Sequence, residues 1–555
     1  IGVSRREDFV RHSGGKMRNI RNCQLACETN ETNLKINQKT SLEDFEIEEA
    51  MMKTEVIKIA TPMGGEGCIK KEDHRPGRRA ARNEGKTGDS LKLKVRIFLN
   101  GTKRRVAGLT GVVLADVVLA MALSMAVSWL MPGLLDLLNP ELLAAGYAGY
   151  ASREPESGSQ VGGPRVVVIK AGKILTMAGP PIEDGVVIVE GEKIKAVGKD
   201  LPIPEGAEII DEPEAWVLPG LIDVHSSLGL VDERGQSENE ELSEPNVAQL
   251  DVLDGFYPFD KKIAQARASG ITAALICPGR RSVIGGQAAV IRLKGKTVDE
   301  MTILAPAAVK FSIGEGPKQA FGSKGRLPST RMGNIYVIRQ ALLEAREYAD
   351  KWADYDKSLA AAKKGKKNAA DIQPPRRDLK LEALAKVVRG ELPAFMECYR
   401  IDDISGAIRL VDEFKLKAVF IGCAEGYLVA EEISKRGIPV IVGPMGIGPR
   451  RTETENVEIS NAARLHKAGV KIALESETQY GLAALEELPL VAALAVRGGL
   501  PEEEALKAIT ISAAEIIGVG DKIGSLEPGK RADLVIFSGN PLDYRTRVKK
   551  VIMGT

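Results

Sequence analysis

The stretch VLPGLIDVHSSLGL at residues 217–230 is the strongest indication of fold in this chain. Its first part belongs to the apolar run WVLPGLIDV (216–224), which predicts a buried strand ending beside His225. Comparable runs lie at 271–277, 394–399, 417–423, 437–443 and 469–475, and helical stretches at 335–363, 378–389, 403–414, 426–436 and 484–497. Strands that alternate with helices predict an α/β fold with a parallel sheet. The spacing suits a (β/α)8 barrel of the TIM type, which typically takes about 250 residues.

Two β-rich segments flank the predicted barrel. Residues 165–198 and 523–553 alternate inward and outward positions and contain glycine turns. Because both segments are β-rich and bracket the barrel, we expect them to pair into one small composite β-sandwich. The predicted domains are therefore a barrel at 216–520 and a side domain built from 165–215 and 521–555.

The residues before this region differ in composition. Residues 1–105 carry 23 Lys and Arg against 15 Asp and Glu, and lack a sustained apolar period, which predicts a basic, disordered segment. An apolar helix is predicted at 106–138, and its part 106–131 exceeds the roughly 20 residues that cross a bilayer. Asp116 within it would cost about 3 kcal/mol on insertion, so a membrane anchor and a buried or artefactual helix both remain open. A linker is predicted at 139–164.

Bulk composition excludes several classes of protein. The net charge of the whole chain is only +2, so we expect no nucleic-acid partner. Six scattered cysteines are too few for a disulfide framework in 555 residues. The sequence also contains no glycine-rich phosphate loop and no nucleophile elbow.

Several separated motifs resemble one family. They are the 217–230 stretch, AGKILTMAG (171–179), VIGGQAAVIRLKGKTVDEM (283–301), GRLPSTRMGN (325–334) and GSLEPGKRADLVIFSGNPLDY (524–544). In this order they resemble the amidohydrolase superfamily, and within it the imidazolonepropionase-like amidohydrolases, over residues 165–555. The resemblance implies a hydrolase of non-peptide C–N bonds in cyclic or linear amides. The family's last strand would continue beyond VIMGT (551–555), so we expect a clipped C-terminus; the Ile start suggests an extended reading frame or a fragment.

The resemblance also implies a divalent metal at the carboxyl-terminal rim of the barrel. In the family, an HxH pair after strand 1, histidines ending strands 5 and 6, and an aspartate ending strand 8 hold that metal. The cation lowers the pKa of bound water to about 7, and the aspartate takes the proton of the water.

This sequence departs from that ligand set. His225 keeps the first histidine of the pair, but Ser227 stands at the second. Glu397 replaces the strand 5 histidine, with Tyr399 two residues on, and Gly422 stands at the strand 6 position. Glu477 occupies the place of the aspartate, with Glu475 nearby, and only four histidines exist in the whole chain.

Three interpretations follow. In the first, the barrel keeps the fold and has weakened or lost metal-dependent catalysis, with no cofactor. In the second, His225, Glu397 and Glu477 hold Zn, Mn or Mg, with the carboxylates favouring Mn or Mg, and Glu477 is the catalytic base. A lysine is found at the end of strand 4 in some relatives, but for Lys310 we favour a structural or solvated role.

In the third interpretation, the barrel is a non-catalytic ligand-binding or partner subunit, either a homo-oligomer or paired with an active paralogue. Residues 314–334 form a long basic loop, and Arg326 and Arg331 within it are candidate substrate-binding residues. Relatives of this kind are generally cytoplasmic, so we expect a cytoplasmic protein. The alternative is a membrane-tethered one with the barrel outside, because Lys103, Arg104 and Arg105 precede the apolar segment.

Overall fold

The computed structural model describes residues 165–231, 235–364, 372–445, 452–476 and 488–555. The predictions for the segments 1–105, 106–138 and 139–164 lie outside the described residues. Within the described part, no helix is both long and apolar enough to cross a membrane. Two sheets organise this part, and the chain passes from one to the other inside the 217–230 motif.

The larger sheet, which we call the barrel sheet, contains eight strands in chain order. They are β5 (Leu221–Ser226), β6 (Ile271–Ile276), β7 (Ile284–Arg292), β8 (Thr302–Ser312), β9 (Ala394–Cys398), β10 (Ala418–Gly422), β11 (Val440–Val442) and β12 (Ile472–Leu474). Every residue of β5, β6 and β9 to β12 is buried, as expected of strands covered on both faces. Ser476, just after β12, donates to Asp223 of β5, so the sheet nearly closes. The predicted α/β class is confirmed.

Strand β7 departs from the expected alternation of strand and helix. It runs antiparallel to both β6 and β8, whereas the other paired strands of this sheet are parallel. Only residues 277–283 separate β6 from β7. A parallel crossover needs a dozen or more residues, so this short connection forces a meander at the third strand.

Helices surround the barrel sheet. They are α1 (Lys261–Ala268), α2 (Val298–Met301), α3 (Glu315–Gly322), α4 (Arg331–Lys363), α5 (Leu379–Val388), α6 (Ile401–Phe414), α7 (Ala430–Ser434), α8 (Asn461–Lys467), α9 (Leu488–Arg497), α10 (Glu502–Ala508) and α11 (Ile511–Ile516). Side-chain caps begin several of them. Thr330 accepts from the backbone of Gly333 at the start of α4, and Asp378 caps α5 in the same way.

The smaller sheet, which we call the side sheet, combines both flanking segments. Its six strands follow the order β14-β13-β4-β1-β2-β3. They are β1 (Val166–Ile174), β2 (Ile182–Glu190), β3 (Lys193–Lys199), β4 (Glu208–Pro219), β13 (Asp533–Phe537) and β14 (Val548–Met553). The predicted pairing of the two segments is therefore present, through antiparallel β4 and β13. The described strands form one continuous hydrogen-bonded sheet in place of the expected two-sheet sandwich.

Gly220 divides the strand predicted at 216–224 between the two sheets. Strand β4 ends at Pro219 and β5 begins at Leu221. A Cβ on Gly220 would lie 2.0 Å from Thr272 Oγ1, so only glycine allows this close approach. The motif therefore determines where the chain leaves the side sheet and enters the barrel.

A buried ion pair joins the two sheets. Arg292, at the end of β7, donates to Asp533 of β13 through Nε and Nη2, with the shortest distance 2.6 Å. Its Nη1 donates to Glu192 at 2.6 Å. The side chains of Arg292 and Asp533 are only 6% and 2% exposed. If one of the two charges were removed, water could not solvate the other.

Removing the guanidinium of this pair should destabilise the fold. In Arg292→Ala, Asp533 stays buried without its counter-ion, and we expect the free energy of unfolding to fall by about 3–5 kcal/mol. Arg389→Ala is the control, because Arg389 pairs with Glu391 at the surface and should change that free energy by less than about 1 kcal/mol. Urea unfolding of the full chain measures both, and equal losses in the two variants would contradict the assignment.

Candidate functional site

Four polar side chains, three of them charged, converge where barrel strands end. His225 lies at the end of β5, Lys310 near the end of β8 and Glu397 in β9, while Glu475 directly follows β12. Each is at most 1% exposed. Parallel strands present their carboxyl ends at the same edge of a barrel, where active sites of this architecture lie. We call these four residues the central cluster.

Lys310 occupies the middle of the central cluster. Its Nζ donates to Glu397 Oε2 at 2.7 Å, to His225 Nε2 at 3.2 Å and to the carbonyl oxygen of Pro278 at 3.4 Å. An ammonium group has three N–H donors, so each finds an acceptor. Burial of an unpaired ammonium would be strongly unfavourable, and this set of partners offsets that cost.

His225 connects Lys310 to Glu475. Its Nδ1 is hydrogen-bonded to Glu475 Oε2, while its Nε2 faces Lys310. Because Nε2 accepts from the ammonium, the ring proton is assigned to Nδ1, which donates to the carboxylate. Both ring nitrogens are therefore engaged by protein groups. The second oxygen of Glu475, Oε1, is buried and has no hydrogen-bond partner among the described residues.

Glu397 is held as a carboxylate. Its Oε1 accepts from the hydroxyl of Tyr399 at 2.9 Å and lies 3.5 Å from Arg280 Nε. Burial by itself raises the pKa of this group, but the charges of Lys310 and Arg280 outweigh burial and lower the pKa to about 2. Glu397 is therefore ionised at neutral pH, as the counter-ion of Lys310.

Gly422 has a steric role beside Tyr399. Its backbone has φ +88°, and a Cβ there would lie 2.5 Å from the Tyr399 ring. The phenol ring thus passes directly over Gly422, the last residue of β10, to reach Glu397. A histidine at 422 would overlap this ring, so glycine at this position is what allows Tyr399 to reach Glu397.

Asp223 and Ser476 form a hydrogen-bonded pair next to the central cluster. The backbone N–H and hydroxyl of Ser476 donate to Asp223 at 3.3 and 2.8 Å. Burial raises the pKa of Asp223 to about 6, although the hydrogen bonds from Ser476 oppose that rise. This contact fixes the start of the segment after β12, and so the position of Glu475.

A second network surrounds the central cluster. Arg280 pairs with Glu453, whose Oε1 accepts from the backbone of Glu315 at 2.6 Å. Glu315 and Asp403 in turn accept from Arg331 at 2.7 and 2.9 Å. Burial raises the pKa of Asp403 to about 6 against the charge of Arg331. This network binds the ends of β8 and β9 to the start of α4.

The predicted site residues have different positions in the structure. His225 and Glu397 meet in the central cluster, whereas Glu477 lies outside the described residues. Arg331 is held by carboxylates, and Arg326 donates to the carbonyl of Ser243 at 2.9 Å on the surface. Their proposed contact with substrate stays a prediction.

Two members of the central cluster were not expected to be central. Lys310 is completely buried between His225 and Glu397, so of the two roles favoured from the sequence the structural one fits and the solvated one does not. A lysine inside the apolar run AAVKFS (307–312) is the sequence signal for a paired, buried charge. Glu475 was considered only as a neighbour of Glu477.

The central cluster does not fit a divalent metal. Among the described residues, no group of three His, Cys, Asp or Glu side chains is placed to hold one. Catalytic metal sites usually offer three protein ligands with lone pairs directed at the ion. Here only His225 Nε2 and one oxygen of Glu397 face a common point, and Lys310 Nζ donates to both.

Comparisons with known proteins agree on one family. Residues 415–554 match the sequence profile of the Amidohydrolase family. An amidohydrolase structure from Thermotoga maritima is 35% identical, covers 70% of this chain and 98% of its own chain, and superposes with a TM-score of 0.64.

Curated relatives extend this similarity. The imidazolonepropionase of Symbiobacterium thermophilum is 24% identical over 408 residues, which are 67% of this chain and 91% of that protein. The amidohydrolase tasK of Hapsidospora irregularis is 27% identical over 382 residues, or 64% of this chain. This chain spans only 38% of the length of the tasK protein.

The packing of Glu475 generates a prediction. A Cβ on the buried Gly443 would lie 2.1 Å from Glu475 Oε1, so Gly443→Ala should displace this carboxylate from His225. We expect the free energy of unfolding to fall by about 1–3 kcal/mol. Gly179→Ala is the control, because nothing lies within 4 Å of its added methyl. Urea unfolding measures both variants, and a Gly443→Ala protein as stable as the control would contradict this packing.

Proposed function

This chain belongs to the amidohydrolase superfamily and is imidazolonepropionase-like; from that premise we propose that it binds a small cyclic or linear amide and has weakened or lost metal-dependent hydrolysis of the C–N bond. The observation that carries the proposal is that His225 has no ring nitrogen left to bind a metal. This histidine is the one imidazole of the central cluster, and both of its nitrogens are hydrogen-bonded within the protein.

Hydrolysis in the family, as the resemblance implies, requires a cation that activates water. That cation needs several lone pairs, and the described residues offer two. Loss of a single residue that supports a ligand typically costs 10–100-fold in metal affinity. Replacement of two direct ligands, by Ser227 and Gly422, should therefore cost more than about 100-fold.

The residues that remain support recognition of an amide. An amide needs a donor for its carbonyl oxygen and an acceptor for its N–H. Arg280 supplies guanidinium donors beside Glu397, whose carboxylate is an acceptor with a pKa of about 2. The one hydroxyl proton of Tyr399 is already donated to Glu397 Oε1. The side chain of Arg280 is 16% exposed, so it is the most accessible charged group of this set.

A turnover and binding assay on the full chain tests the proposal. We expect five- and six-membered cyclic amides, or linear amides, to raise the melting temperature of the protein. Zn²⁺ or Mn²⁺ should not produce hydrolysis above that of His225→Ala. His466→Ala is the matched control, since the His466 side chain on helix α8 is 37% exposed and its Nδ1 lies 3.9 Å from Glu504 Oε2.

Two results would contradict the proposal. One is metal-stimulated hydrolysis that His466→Ala retains and His225→Ala loses, because the family reaction would then be intact. The other is an absence of stabilisation by every amide in the panel. That result would favour a partner-subunit role, with an active paralogue supplying the chemistry.

A further inference from the structure

The distances around Lys310 define a position for one cation. His225 Nε2 and Glu397 Oε2 lie 3.9 Å apart, too far for a hydrogen bond between them. Lys310 Nζ lies 3.2 Å from the first atom and 2.7 Å from the second, so it bridges the gap. The separation of the two acceptors is thus set by a positive charge between them.

A divalent ion and this ammonium compete for the same space. An ion bonded to both acceptor atoms at about 2.0–2.2 Å would lie within about 3 Å of Nζ, given the triangle of distances above. Charges of the same sign at that distance repel strongly inside a protein. Nζ is also completely buried, so water does not screen this repulsion.

The surrounding charges also show what would follow without the lysine. Glu397 and Glu475 are both buried, and Glu475 Oε1 has no partner among the described residues. Without the ammonium, His225 Nε2 and Glu397 Oε2 would face each other 3.9 Å apart with no cation between them, while Glu475 contacts Nδ1 on the other side of the ring. Imidazole nitrogen and carboxylate oxygen are the ligand types that Zn²⁺ and Mn²⁺ accept.

We propose that the Lys310 ammonium takes the position of a divalent cation between His225 Nε2 and Glu397 Oε2, and that a divalent ion can bind between these two atoms, with water as its further ligands, when this side chain is removed. The inference rests on the proposed function and deepens it, because it names the group that excludes the metal. Lys310 is then a tethered cation that holds β5, β8 and β9 together at the mouth of the barrel. Its presence makes the folded site independent of free metal.

Metal content is the test. The full chain, Lys310→Ala, Lys310→Ala/His225→Ala and the control Lys296→Ala are dialysed against Zn²⁺ or Mn²⁺, freed of loosely bound ions and analysed for bound metal. Lys296 is exposed at the surface. We expect little metal in the wild type and in Lys296→Ala, near-stoichiometric metal in Lys310→Ala, and its loss in the double variant.

Melting temperatures provide a second readout. A chelator should leave the wild-type melting temperature unchanged, whereas Lys310→Ala should melt lower and recover when Zn²⁺ or Mn²⁺ is added. If Lys310→Ala does not fold with or without metal, the test uses the wild-type protein alone. A wild type that holds no bound metal, and whose melting temperature a chelator does not change, supports the inference. The variant Lys310→Met/Glu397→Gln, which removes both charges, should fold and bind no metal.

Two results would overturn the inference. One is near-stoichiometric metal in the wild type that His225→Ala loses. The other is a folded Lys310→Ala protein that binds no metal and is as stable as Lys296→Ala. An absence of stabilisation of the wild type by every amide in the panel would instead contradict the proposed function and leave this inference standing, so the two failures are distinguishable.

Discussion

The ammonium of Lys310 neutralises the interior of the barrel mouth, and the rest of the site is arranged around it. Its three donors bind Glu397, His225 and the carbonyl of Pro278, so one side chain connects three segments of the chain. Glu397 is ionised because that charge is present, and the tautomer of His225 follows from the same contact. Without this ammonium, the buried carboxylate of Glu397 would lose its nearest positive charge.

The supporting structure explains why the family pattern could change without loss of the fold. Tyr399 reaches Glu397 only because Gly422 leaves room for its ring, and Glu475 reaches His225 only because Gly443 does the same. These replacements are coupled, since a histidine restored at 422 alone would overlap the phenol. The apolar strands that form the barrel are stabilised by their own burial and need no metal to fold.

Much of the architecture could be predicted from the sequence. The apolar runs and helical stretches correspond to the observed strands and helices, and the positions of His225 and Glu397 at strand ends indicated that they would meet. Strand direction could not be predicted, because β7 is reversed by the short connection at 277–283. The partners of Lys310 also escaped prediction: they lie 85 and 87 residues away in the chain, and no local pattern encodes that pairing. Likewise, no local pattern indicates that Glu475 contacts His225, because the two residues lie 250 positions apart in the chain.

Anomalous diffraction at the zinc edge, from crystals of the full chain grown with Zn²⁺, tests the central claim most directly. The account predicts density for Lys310 Nζ within hydrogen-bonding distance of His225 Nε2 and Glu397, with no anomalous peak beside them. An anomalous peak about 2.0–2.1 Å from His225 Nε2, with Lys310 turned away from both acceptors, would contradict it.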